Sequence, residues 1–141
     1  MKRFVILKHE PGEKLVRTGR EHFDWMFEVD GCLRTFSTAP ISAQELKQNI
    51  SIQAVELISH RKEYLKIRGD IGRGLGVVSE VASGNYELET ISPDLFSVEL
   101  RAVLDDGEID TRAVFKRIGD NPDDGSHCGR WLLTLACIDS L

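Results

Sequence analysis

Three cysteines, four prolines and four histidines are few for 141 residues, and each scarcity excludes something. Cys32, Cys128 and Cys137 are odd in number and lack CxxC spacing, so neither a disulfide framework nor a zinc-ribbon pattern fits. They read as reduced thiols of a cytoplasmic protein. No apolar run approaches the roughly 20 residues that cross a bilayer, so no membrane partner is expected. The start, MKRFVILKHE, offers only four consecutive apolar residues, short of the roughly 7–15 of a secretory leader. Pro- or Ser-rich linkers, low-complexity stretches and internal repeats are absent. The chain is therefore expected to form one domain over residues 1–141.

The net charge of −5 argues against a generic nucleic-acid binder, but the charges are unevenly spread. Residues 1–73 hold 13 Lys/Arg against 10 Asp/Glu, while residues 74–141 hold 5 against 13. An anionic ligand would favour the first half; an unevenly charged, solvated surface is the other reading.

Most of the chain has the look of β-strand. RFVILKH (3–9), IQAVELI (52–58), LGVVSEVA (75–82), NYELETI (85–91), LFSVELRAVL (95–104), TRAVFKRI (111–118) and RWLLTLACI (130–138) are apolar or alternating. HFDWMFEVDGCLRTFS reads as a hairpin turning at Asp30-Gly31, a pair suited to a type I′ turn. Ser83-Gly84-Asn85, Ser92-Pro93-Asp94, Asp105-Asp106-Gly107 and GDNPDDGS (119–126) read as turns between strands. Ser42 and Glu45 form the capping-box pattern S-x-x-E and predict a helix over 42–49. About eight short strands with one or two short helices suggest a mainly β fold, an antiparallel barrel or sandwich, with the small barrel preferred.

At period two, residues 22–29 split into an apolar side, Phe23, Trp25, Phe27 and Val29, and a second side, His22, Asp24, Met26 and Glu28. His22 and Asp24 can thus reach one cation, and His9 supplies a third ligand if the first strand pairs beside the hairpin. A surface histidine bonded to its neighbouring aspartate is the plainer reading. SHRKEYLKIRGDIGR (59–73) sets His60, Arg61, Lys62, Lys66, Arg68 and Arg73 around Tyr64, which suits phosphate contacts or an exposed loop. GRGLG (72–76) lacks the following helix that a nucleotide-binding loop requires.

FVILKH, HFDWMFEVDGCLR, AVELISHRKEY and GNYEL, in that order, resemble the 3′-phosphoesterase domain of bacterial DNA ligase D, which also occurs as free-standing proteins. The likeness is strongest over 4–37 and 54–64. It implies a small β-barrel with a Mn²⁺-dependent site that removes 3′-phosphates and 3′-terminal ribonucleosides in DNA end repair. The implied partners are DNA or RNA/DNA 3′ ends and a ligase or other end-joining protein. By this resemblance His9, His22 and Asp24 fall on metal ligands, His60 on a histidine at the scissile phosphate and Tyr64 on a tyrosine near it.

The chain also departs from the pattern. Twelve residues, EPGEKLVRTGRE, separate His9 from His22, where the family spaces the two more closely. Met26 stands where the family has a phosphate-contacting arginine. Sharing a strand face with His22 and Asp24, Met26 is expected to border a solvent-open metal pocket. Arg17, Arg20 or Arg73 is expected to supply the missing cation. Catalysis and a weakened or inactive metal- or end-binding module are both open on this reading.

Overall fold

The computed structural model describes residues 2–12, 20–66, 68–70, 76–104, 107–120 and 129–138. Nine strands appear among them: β1 Lys2–Glu10, β2 His22–Val29, β3 Cys32–Thr38, β4 Ile50–His60, β5 Gly69–Asp70, β6 Val77–Ser92, β7 Leu95–Leu104, β8 Gly107–Asp120 and β9 Gly129–Cys137. Hydrogen bonding runs β1-β2-β3-β4-β9-β8-β7-β6, and β6 pairs back onto β1. Eight antiparallel strands therefore close a barrel, with the two-residue β5 attached to the start of β6. Closure removes the unpaired edges that an open sheet of this size exposes.

The alternation read in residues 22–29 sets the two faces. Phe23, Trp25 and Phe27 enter the barrel, where Phe27 meets Phe36, Tyr86, Phe96 and Phe115 at ring centroid distances of 5.2–6.5 Å. Phe36 stacks on Phe115 at 4.1 Å, and Trp25 donates its indole N–H to Thr38 Oγ1 at 2.9 Å. Large aromatic side chains fill a small barrel without leaving a pore. The β2–β3 hairpin turns at Asp30 (φ 49°) and Gly31 (φ 83°), the double left-handed geometry of a type I′ turn.

The outside of the barrel carries a second apolar cluster of Val5, Leu7, Met26, Leu33, Leu65 and Val78. Leu65 comes from a 3₁₀ turn, Lys62–Leu65, which lays it and Tyr64 over the outer faces of β1, β2 and β3. Lys62 Nζ lies 3.5 Å from Glu28 Oε2, tying this turn to β2.

Two elements differ from the sequence reading. The capping box over Ser42 and Glu45 forms, with Glu45 N donating to Ser42 Oγ at 3.1 Å and Ser42 N to Glu45 Oε1 at 2.9 Å. The predicted helix nonetheless stops as a 3₁₀ turn, Glu45–Lys47, because Gln48 is extended and Asn49 Oδ1 accepts from Cys137 N. The chain is claimed by β4 before a second turn can add hydrogen bonds. Similarly, Ser83-Gly84-Asn85 is no turn: β6 runs unbroken through it. Gly84 pairs with Phe4 of β1 on one side and Ala102 of β7 on the other. A Cβ there would overlap the Arg101 carbonyl oxygen, so glycine serves close strand approach at this position.

Candidate metal centre

His9 is the last residue but one of β1, and the β1–β2 register sets it directly opposite His22. Leu7 and Asp24 form the next pair with the same facing. Two imidazoles and one carboxylate thus converge on the outer face of adjacent strands. Their ligand atoms lie within 4.8 Å of one another, with Asp24 buried and both histidines half-buried. The two rings meet edge to face at 4.9 Å between centroids. This group can hold a metal ion.

Hydrogen bonding sharpens that statement. His22 Nδ1 is 3.1 Å from the Arg20 carbonyl oxygen, which accepts only, so Nδ1 carries a proton. In a neutral ring the Nε2 lone pair then faces Asp24 Oδ1 at 3.4 Å. Oδ1 is buried and makes no hydrogen bond. Two acceptors facing each other in a partly desolvated site call for a positive charge between them, either a proton on Nε2 or a cation. A ring whose other nitrogen is fixed by a carbonyl is the usual arrangement of a metal-ligating histidine. The orphaned carboxylate oxygen and the preset tautomer both fit a divalent ion.

A hydrogen bond that the protonated ring donates to the Asp24 carboxylate, helped by the negative charge there, outweighs partial burial and raises the His22 pKa above its usual 6.5. In the metal-free protein, His22 therefore contributes stability that is fully present below pH 6.5. It is lost as pH rises through the raised folded value. A metal ion competes with that proton. The expected result is that a saturating divalent ion raises Tm little at about pH 5.5 and progressively more towards about pH 8. Thermal melts with and without metal across this range check it; a shift independent of pH would contradict it.

The other site residues of the sequence reading are dispersed. His60 ends β4 opposite Leu33, which itself lies opposite Glu28. Asp24, by contrast, lies opposite Ser37, and Ser37 opposite Val55. His60 is thus two strands across and four residues along from Asp24, about 13 Å in the strand direction. Its Nδ1 is 3.1 Å from the Ile58 carbonyl oxygen, and its ring meets Tyr64 edge to face at 5.2 Å. Tyr64 packs on the outer apolar cluster, whose Leu7 adjoins Asp24 and whose Met26 sits two residues beyond it.

Met26 shares the face of His22 and Asp24 as expected, but the pocket there is not open. Its side chain is 1% exposed beneath the cover of Leu65. Alternation along β2 could not reveal this, because the cover arrives from residue 65.

Arg20 is exposed, and its carbonyl, not its guanidinium, is what engages the centre. Arg17 and Arg73 lie outside the described residues, as do His127 and Cys128. The backbone of residues 10–12 runs close against Gly76, where an added Cβ would lie 2.7 Å from Gly12 N. An ion-pair set missed in the sequence joins the end of β1 to the residue before β2. Lys8 Nζ lies 3.4 Å from Glu21 Oε1 and 3.5 Å from Glu10 Oε1.

No protein-family model matches the chain, and no curated protein matches it. Among the described residues, no helix is long and apolar enough to cross a membrane.

Proposed function

We propose that this protein is a divalent-metal-dependent phosphoesterase acting on 3′ ends of DNA or RNA/DNA, with Mn²⁺ as its ion and end repair in the cytoplasm as its setting. The observation that carries the reading is the convergence of His9, His22 and Asp24 around an orphaned, buried carboxylate oxygen. The sequence likeness described above supplies the reaction class and, with it, the expectation of an end-joining partner such as a ligase.

A bound divalent ion would supply Lewis-acid polarisation of a phosphate oxygen. The chain's own part is to bind and orient. His9, His22 and Asp24 would hold the ion, and the Arg20 carbonyl, by accepting the Nδ1 hydrogen bond, leaves the His22 Nε2 lone pair for it. His60, half-exposed and beside Tyr64, offers a hydrogen bond to a phosphate oxygen or a proton to a leaving oxygen. Its offset from Asp24 along the strands gives that contact to a substrate lying across the outer face.

One observation favours a second reading, a module that holds metal or a nucleic-acid end without turning it over. Met26, at the position of the family's arginine, is sealed in apolar contacts and leaves no place there for a cation on the phosphate. Comparable losses of a transition-state donor cost about 3–4 kcal/mol, a factor of hundreds in rate. Incubation with Mn²⁺ and primer–templates ending in 3′-phosphate or a 3′-ribonucleoside decides between the two. The enzyme reading expects metal-dependent release that Asp24→Ala abolishes and His60→Ala slows. Tight metal binding without release from either end would establish the module instead.

A further inference from the structure

His9 is the ligand that the centre must bring from a different strand, and it sits where that strand ends. β1 ends at Glu10, and β2 begins at His22. The ladders to β2 and β6 hold this end of β1, with His9 opposite both His22 and Val78. Two features outside the ligand set add to them.

The first is Gly76. It immediately precedes β6, whose opening residues Val77 and Val78 pair with Glu10 and His9. Its φ is +112°, a conformation that costs any side-chain-bearing residue. A Cβ there would overlap the Glu10 carbonyl oxygen and crowd Gly12 N at 2.7 Å and Pro11 Cα at 2.9 Å. Because Gly76 has no side chain, the backbone of residues 10–12 seats directly against β6. The second feature is Lys8. Its ammonium bridges Glu10, the end of β1, and Glu21, the residue leading into β2. It therefore ties together the two chain ends that carry His9 and His22.

We propose that Gly76 and Lys8 are positioning residues for the metal centre, which hold His9 in register with His22 and Asp24 without themselves touching the ion. This rests on the metal reading of the three ligands. It places control of metal affinity partly in β6 and in a rim ion pair, neither of which contains a ligand.

The test uses the full chain, with Mn²⁺ titrated calorimetrically and the histidine ring nitrogens followed by NMR in metal-free protein. Gly76→Ala is expected to weaken Mn²⁺ binding about tenfold or more, the scale seen for groups that orient ligands. It should move the His9 ring resonances while leaving the Nδ1-protonated His22 tautomer intact. Gly84→Ala, also crowded against backbone but five pairs along β1 from His9, is the control. It should lower Tm with wild-type metal affinity. Should Gly76→Ala fail to fold, Lys8→Met carries the test, with several-fold weaker binding expected and recovery in Lys8→Arg.

Wild-type affinity in a folded Lys8→Met and Gly76→Ala would overturn the proposal, as would an equal loss in Gly84→Ala. Absence of Mn²⁺ binding by the wild type would instead remove the metal reading. In that case the His9 resonances alone still decide whether Gly76 and Lys8 set its position.

Discussion

Met26→Arg is expected to lower the free energy of unfolding by about 3–5 kcal/mol, the cost of leaving a buried charge without a partner. Met26 is 1% exposed among Val5, Leu7, Leu33, Leu65 and Val78, and the two carboxylates on its strand face, Asp24 and Glu28, already face His22 and Lys62. Against a typical domain stability of about 5–15 kcal/mol, that is a large share. The arginine can escape only by lifting Leu65 and Tyr64 off the barrel, which uncovers the remaining apolar side chains. Met26→Leu, which nearly conserves volume, should cost less than about 1.5 kcal/mol. Urea denaturation of the two variants measures the difference. Near-wild-type stability of Met26→Arg would mean that the Lys62–Leu65 turn opens freely and that the face beside Asp24 is accessible after all.

That result bears on function as well as stability. Placing an arginine at this position to grip a phosphate presupposes a solvent-open pocket. With the cover in place, the substitution trades an ordered outer face for a cation, so an increase in activity is not expected from it. A phosphate-binding cation, if one operates, must come from elsewhere on the rim.

What the sequence reveals about this fold depends on the range of the interaction involved. Period-two alternation assigned Phe23, Trp25 and Phe27 to one face and His22 and Asp24 to the other, because alternation is a property of the strand alone. Asp30-Gly31 announced its turn for the same reason: both residues adopt positive φ, and the pair is suited to it. The grouping of His9, His22 and Asp24 was legible through HFD and KH, once β1 was taken to pair with β2.

Non-local packing was not legible. Gly84 looks like part of a turn but serves the close approach of β1 and β7 to β6, visible only when the three strands are assembled. Met26 looks exposed from its own strand but is covered from residue 65. The Ser42–Glu45 capping box formed its bonds, yet it opened a single 3₁₀ turn, because Asn49 is already engaged with β9. Arg20 was legible as a cation; its use as a carbonyl fixing the His22 tautomer had no sequence signal at all.

The triad itself is tested most directly by calorimetric titration of Mn²⁺ into wild type and Asp24→Ala at a pH above the raised His22 pKa. Removing Asp24 takes away the one anionic ligand and the buried oxygen that faces His22 Nε2. Loss of a ligand should exceed the roughly 10–100-fold effect of losing a group that merely orients one. The account predicts one ion per chain in the wild type and binding weakened at least about 100-fold in Asp24→Ala, with the barrel still folded. Equal affinity in the two proteins, or no binding by the wild type, would contradict it.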